Sequence, residues 1–219
     1  TMSGEIRLGE GAVGLAELAA VARGNGPAIT LSDRARSAMR VSEQWVAELS
    51  ARMDAGAAVE AVYSINTGFG SLSGRQAFRS SSQARDLSRR LVLSNAAGVG
   101  RDFDPEVVRA AMLIRAASLV RGHSAVRPEV VETILAMLAH DVVPVVPEYG
   151  SLGASGDLIP LAHTALVMSR AEEGESEIDS GEAWLAGQRM SGLAAMREAG
   201  IARIVLGPKE GLAILNGTS

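Results

Sequence analysis

The sequence predicts a mainly helical fold with a few short strands. Hydrophobic residues make up 47% of the chain but aromatics only 3%, and alanine, valine and leucine dominate, a mixture suited to helix packed on helix. Several stretches repeat apolar residues at three- and four-residue spacing. Capping side chains, and proline in a first turn, mark where those stretches begin.

The elements follow in order. Ile6-Arg7-Leu8 and Ala28-Ile29-Thr30-Leu31 read as short extended pieces, with a helix between them carrying Leu15, Leu18, Ala19 and Ala22. Ser32 or Asp33 caps a second helix with Met39, Val46 and Leu49 on its apolar face. Thr67 to Gly74 is rich in glycine and serine and reads as a loop. Ser80 to Leu93 reads as a helix burying Leu87, Leu91 and Val92. Asp104-Pro105-Glu106 starts another, because proline in the first turn loses no needed N–H. Val108, Ala111, Met112, Arg115 and Leu119 continue it in register, and Gly122 stops it. Pro128 opens a helix with Val131, Ile134, Leu135 and Leu138 inward, and Asp157 stands where it would cap a helix from Leu158 to Met168. Glu172 to Glu182 is acidic and aperiodic, a solvated loop, and Pro208 opens a last short helix ending at Asn216-Gly217. There is no internal repeat.

Composition excludes several function classes. A net charge of -4 offers no basic footprint for nucleic acid. The absence of cysteine rules out disulfides and thiolate metal sites. His123, His140 and His163 have no metal-ligand spacing, so no metal is expected, and His163, on an apolar helix, reads as a satisfied buried residue. No run reaches the roughly 18 apolar residues that span a bilayer, and Thr1 to Glu10 lacks the apolar core of a signal peptide. A cytoplasmic protein that binds no membrane is the expectation.

The stretch Gly150-Ser151-Leu152-Gly153-Ala154-Ser155-Gly156-Asp157-Leu158 is the most informative. A serine-hydrolase elbow needs Gly-x-Ser-x-Gly, and position 157 is Asp. The phosphate-loop and dinucleotide glycine patterns are also absent. On its own the stretch is equally a glycine-rich turn before a helix. Tyr63 alone is equally a core or hinge tyrosine, Asn216 a helix C-cap, and Phe69-Gly70 a simple turn.

Context gives these residues a sharper reading. Val143-Pro144-Val145-Val146-Pro147-Glu148 leads into the stretch and Leu158-Ile159-Pro160-Leu161-Ala162-His163 leads out. Upstream lie Tyr63-Ser64-Ile65-Asn66-Thr67-Gly68-Phe69-Gly70 and Arg121-Gly122-His123-Ser124-Ala125-Val126-Arg127-Pro128-Glu129; downstream lies Lys209-Glu210-Gly211-Leu212-Ala213-Ile214-Leu215-Asn216-Gly217-Thr218. In content and order these resemble the signature stretches of the histidine and aromatic amino-acid ammonia-lyase family, and the resemblance runs from near residue 5 to the last residue.

The resemblance implies a helical ammonia-lyase-like N-terminal portion over residues 1–219, without the family's long central helices. It implies that Ala154-Ser155-Gly156 cyclises autocatalytically to 4-methylideneimidazol-5-one (MIO). The Gly156 nitrogen attacks the Ala154 carbonyl, and loss of two waters leaves a methylidene from the Ser155 side chain. Tyr63 matches the family's acid–base tyrosine. Asn216 matches an asparagine near the prosthetic group and substrate, while Phe69 and Gly70 are expected to line or gate the pocket. The expected reaction removes ammonia from a histidine-like or aromatic-like α-amino acid. The alternatives are a 2,3-aminomutase making a β-amino acid and a non-catalytic ammonia-lyase-like subunit.

Leu87 to Gly100 corresponds to the family's selectivity region and departs from it. Asn95 stands for the histidine of histidine ammonia-lyases, Ser88 for a glutamine and Arg90 for an asparagine, and Ser219 also replaces a usual glutamine. Asn95 can hydrogen-bond a substrate side chain but cannot ionise. Family members are more than twice as long as this chain. A C-terminal ammonia-lyase-like polypeptide is therefore expected to complete it in a hetero-oligomer, unless the sequence is a piece of a longer chain.

Overall fold

The computed structural model describes residues 4–151, 156 and 158–217. A small parallel pair opens the fold: β1 (Ile6–Leu8) pairs with β2 (Ile29–Leu31), and α1 (Leu15–Ala22) crosses between them. Val21 and Ala22 are the buried residues of α1, whereas Leu15, expected inside, is 86% exposed. Leu15 opens the helix, where the core does not yet reach. α2 (Asp33–Asp54) starts at Ser32, whose hydroxyl accepts from Ala35 N at 3.2 Å, and buries Met39, Val46 and Leu49 as the spacing predicts.

Residues 55–80 form a long loop containing a single 3-10 turn at Gly70–Leu72. Ser80 caps α3 (Ser81–Asn95), which buries Ala84, Ser88, Arg89 and Val92. The inner face is thus rotated from the predicted one, leaving Leu87 and Leu91 half-buried. Ser88 turns inward because its hydroxyl donates to Gly207 O at 2.9 Å and accepts from Gly211 N at 3.4 Å. Arg89 turns inward to meet Ser169 and Asp179.

α4 (Pro105–Leu119) starts at the predicted Asp104-Pro105 cap, with Asp104 accepting from Glu106 N at 2.8 Å. Gly122, just beyond it, has φ +76°, and a Cβ there would lie 2.7 Å from Ala38 O. Only glycine fits that approach. α5 (Pro128–Ala139) and α6 (Leu158–Met168) match their predicted spans. The Asp157 cap lies outside the described residues.

The remaining strands are too short to show a period in the sequence. β3 (Val99–Asp102) pairs antiparallel with β5 (Pro147–Tyr149). β4 (Val143–Pro144), β7 (Glu182–Leu185) and β8 (Gln188–Ser191) form a three-stranded sheet in the order β4-β7-β8. β6 (Ser169–Arg170) pairs parallel with β9 (Ile204–Val205). The predicted acidic loop gives up its last residue, Glu182, to β7. α7 (Gly192–Glu198) follows that sheet, and α8 (Glu210–Leu215) starts two residues after Pro208, because Lys209 takes φ +71°.

Eight α-helices and only short strands therefore make up the described residues, the mainly helical fold the composition predicts. One core runs through α4 (Met112, Leu113, Ala116, Leu119), α5 (Val131, Ile134, Met137) and α6 (Ala162, Ala165, Val167). A smaller cluster of Val46, Leu49, Met53 and Ile65 anchors the long loop on α2. α3, α6 and α8 pack against one another.

Candidate active site

The mutual packing of α3, α6 and α8 gathers the flanks of the Ala-Ser-Gly stretch. β5 and Gly150 lead toward it, and α6 leaves it with Leu158 N donating to Gly156 O at 3.2 Å. Gly156 has φ +78°, a conformation glycine takes without strain. It sits just before the positive end of the α6 dipole. Ala154 and Ser155 lie outside the described residues.

α3 ends at Asn95, which is half-buried. The Asn95 Nδ2 group donates to Leu91 O at 2.9 Å, and among the described residues its Oδ1 has no partner. Three residues on, Gly98 N donates to His163 Nε2 at 3.2 Å. A Cβ on Gly150 would lie 3.4 Å from Gly98 Cα and 2.9 Å from Ile159 Cγ2, so the incoming strand, the turn after Asn95 and the outgoing helix are in close contact. Partial burial pushes the His163 imidazole below its ordinary pKa; the ring is half-buried rather than buried, and its Nε2 is satisfied by Gly98.

Asn216 caps the C-terminus of α8, its N–H donating to Leu212 O at 3.0 Å. The next residue, Gly217, lines a cavity of about 520 Å³ together with Ser151, Pro160, Leu161 and Thr164. The opposite wall comes from α4: Val107, Ala111, Ile114, Arg115 and Ser118. Arg115 donates to Ala213 O. Among the described residues its Nε has no hydrogen-bond partner, and burial lowers its pKa. The structure thus brings the ends of α3 and α8 to the two flanks of the tripeptide.

Tyr63, Phe69 and Gly70 sit elsewhere, on the long loop. Tyr63 is 47% exposed and packs edge-to-face on Phe69, ring centroids 5.8 Å apart. Neither lines the cavity. Gly70 opens the 3-10 turn at φ +56°. The loop is nonetheless well held. Fully buried Asn66 accepts from Val62 N at 2.7 Å and donates to Glu60 O at 2.8 Å, and its carbonyl accepts from Ala77 N at 2.8 Å and Phe78 N at 3.1 Å.

Two of the departures noted in the sequence do not accompany Asn95. Ser88 is buried against α8, and Arg90 is exposed and paired with Asp86 at 2.7 Å. Sequence reasoning missed a central scaffold element, the Arg127–Glu210 pair. Glu210 is 2% exposed and accepts from Arg127 N and Nε at 2.9 Å each, Arg127 NH2 at 2.8 Å and Gly207 N at 2.6 Å. That carboxylate raises the Arg127 pKa. Both residues fall inside signature stretches, which is the signal that would have paired them. Among the described residues, no group of three His, Asp or Glu side chains would hold a metal ion, and no helix is long and apolar enough to cross a membrane.

The family profile "Aromatic amino acid lyase" matches residues 13–219. The chain belongs to the aromatic amino acid lyase family. It is 50% identical over 157 residues to a histidine ammonia-lyase of Caldanaerobacter subterraneus subsp. tengcongensis, covering 72% of this chain and 29% of that one. It is 44% identical over 202 residues to a histidine ammonia-lyase of Gloeobacter violaceus, covering 92% and 36%. Among solved structures, the phenylalanine aminomutase of Pantoea agglomerans superposes with a TM-score of 0.78 at 35% identity, covering 99% of this chain and 38% of that one. The histidine ammonia-lyase of Trypanosoma cruzi gives 0.80 at 29%, covering 98% and 38%. The chain therefore matches 29–38% of the length of these lyase-family proteins, in their N-terminal part.

Proposed function

We propose that residues 1–219 are the MIO-forming N-terminal part of a cytoplasmic ammonia-lyase acting on a histidine-like or aromatic-like α-amino acid. The observation that carries this reading is the site's frame. An Ala-Ser-Gly tripeptide is flanked by a strand and a helix that are both packed against the turn after Asn95, and its flanks share a cavity with Gly217. The positive φ of Gly156 suits the tight backbone turn that cyclisation requires. Ala154, Ser155 and Gly156 would form the ring, which supplies an electrophilic methylidene that accepts the substrate amine.

The chain's own residues then have defined tasks. Tyr63 moves a proton at its phenolic oxygen, and Phe69 and Gly70, beside it, gate the pocket, in an assembly that brings to the site a loop lying apart from the cavity within this chain. Asn216 offers both donor and acceptor at the α8 terminus. Asn95 faces the substrate side chain. Its Nδ2 gives one N–H to Leu91 O, and among the described residues its Oδ1 has no partner, so it presents an acceptor and one further N–H. It therefore favours a side chain that can hydrogen-bond, such as an imidazole, a phenolic hydroxyl or an amide. A site built around such a bond strongly rejects analogues lacking the group. The likeness to the Pantoea aminomutase favours one second reading, in which ammonia returns at the β-carbon to give a β-amino acid.

A C-terminal lyase-like polypeptide completes the site in this proposal. On α4, Val107, Ala111, Ile114 and Ser118 recur at the four-three-four spacing of a helix-packing seam. They face an open cavity, with Val107 51% and Ile114 56% exposed. A helix seated there would bury them and bring a carboxylate to Arg115, which has none among the described residues. Intact mass tests the central claim, since ring formation removes two waters. An active preparation at full unmodified mass overturns the reading.

A further inference from the structure

His163 is the one histidine on α6, and it touches neither the cavity nor the long loop in any interaction described above. Its Nε2 accepts the Gly98 N–H, which leaves the ring proton on Nδ1. The packing around this bond is tight. A Cβ on Gly98 would lie 3.0 Å from His163 Nε2 and 3.1 Å from Pro147 Cβ. Gly98 is therefore a wedge, bonded to the helix that leaves the tripeptide and pressed on the strand that enters it. The spacing of the tripeptide's two ends depends on where that wedge sits.

Charged groups on the surrounding elements are already engaged. Glu148 of β5 pairs with Arg101, Arg89 of α3 with Asp179, Glu182 of β7 with Arg189 and Glu210 of α8 with Arg127. On α3, Arg85 pairs with Glu172 and Asp86 with Arg90. Arg170 of β6 donates to Ala171 O, Arg197 of α7 faces Glu175, and Lys209 donates to Ser124 O. Among the described residues, burial is what lowers the imidazole pKa.

We propose that His163 is a positioning residue for ring closure: as a neutral acceptor it clamps Gly98, and through Gly98 it fixes the entry strand, the exit helix and the Asn95 turn as one frame around the tripeptide. This rests on the ring-forming reading above. In that frame the entry strand and the exit helix hold the two ends of the tripeptide at a fixed separation, and the same bond fixes the turn after Asn95.

The experiment compares the wild-type chain with His163→Leu, which removes the acceptor, and His163→Gln, whose Oε1 reaches the place of Nε2. Amide hydrogen exchange at Gly98 reads the clamp directly, and intact mass against time reads ring closure. We expect Gly98 to exchange roughly 2- to 10-fold faster in His163→Leu, the range one net hydrogen bond supports. Ring closure slows in that variant, and His163→Gln restores both. In the wild type, acidification below the ordinary histidine pKa releases Gly98, whereas His163→Gln stays protected. Unchanged Gly98 protection and unchanged ring content in His163→Leu overturn the proposal. If even the wild type carries no ring, the proposed function falls, and Gly98 exchange across the three proteins still decides the clamp. If His163→Leu does not fold, the pH dependence of Gly98 exchange in the wild type and His163→Gln decides it, and no difference between them overturns it.

Discussion

Glu210→Ala should be among the most destabilising single substitutions in this chain. The Glu210 carboxylate is 2% exposed and takes four donors: Arg127 N and Nε at 2.9 Å, Arg127 NH2 at 2.8 Å and Gly207 N at 2.6 Å. Truncation leaves two backbone N–H groups without their acceptor and a guanidinium without its counter-ion. Removing one partner of a buried pair costs about 3–5 kcal/mol. Because the Arg127 side chain is 37% exposed, water recovers part of that loss, and about 2–4 kcal/mol is the expectation. For a domain of this size each kcal/mol moves Tm by roughly 2–4 °C, so a fall of roughly 5–15 °C is expected in a thermal melt, with a matching loss in urea. Glu132→Ala is the control. Its partner is Arg36, and both side chains are more than a third exposed, 40% and 35%. It should cost less than about 1 kcal/mol. If Glu210→Ala melts within 2 °C (roughly 1 kcal/mol or less) of wild type, the buried carboxylate is not what joins α5 to α8.

Four further outcomes are expected. Ser155→Ala should abolish ring formation, seen as retention of two waters in the intact mass and loss of near-ultraviolet absorbance, while circular dichroism stays unchanged. In the completed enzyme, Tyr63→Phe should keep the ring but lose about 10²–10⁴-fold in turnover, the usual worth of acid–base catalysis; near-wild-type turnover with chemistry rate-limiting rejects Tyr63 as the acid–base. Stability should fall as pH drops below the ordinary histidine pKa of about 6.5 and level off beneath the lowered pKa of His163, because within that window the unfolded chain binds more protons; urea titrations of wild type and His163→Gln at neutral and mildly acidic pH measure the difference. The isolated chain should be inactive and self-associate through the α4 seam, with activity appearing when a C-terminal lyase-like polypeptide is added; size-exclusion chromatography with mass detection tests this, and full activity from the chain alone refutes it.

Helices were legible wherever a cap and a spacing agreed. Asp104 caps its helix as read, Ser32 proves the cap where Ser32 or Asp33 was expected, and Ser80, read as a first helical residue, is itself a cap, because a side-chain oxygen beside a first-turn N–H is a local event. Which face of a helix turns inward is not local. On α3, leucines were the natural choice for the core, yet Ser88 and Arg89 are buried because Gly207, Gly211, Ser169 and Asp179 offer them partners. Each of those partners lies 80 or more residues away in sequence. Ile6–Leu8 and Ile29–Leu31 were legible as extended pieces on either side of a helix, but the later short strands were invisible for a related reason. Two to four residues carry no period, and pairs such as Val143 with Trp184 exist only once the helices have set the spacing.

The site divides along the same line. Signature stretches named Tyr63, Asn95, Gly156 and Asn216, but stretches say nothing about distance. The structure packs α3, α6 and α8 together, so that Gly98, just after α3, meets Gly150, and Gly217, just after α8, shares a cavity with Ser151 and Pro160, while Tyr63 stays with Phe69 on a loop of its own. The residues that allow this packing are glycines and buried polar groups. At Gly211 a Cβ would stand 2.4 Å from Ser88 O, so α3 and α8 meet this closely only because that side chain is missing. A glycine in a motif therefore carries two messages that sequence alone cannot separate. At Gly156 the message is a backbone conformation, φ +78°, and at Gly211 it is a contact with another helix. Gly211→Ala separates them experimentally. The helix itself tolerates alanine better than glycine, so any loss of stability must come from pushing α8 off α3, and with it Asn216 away from the tripeptide.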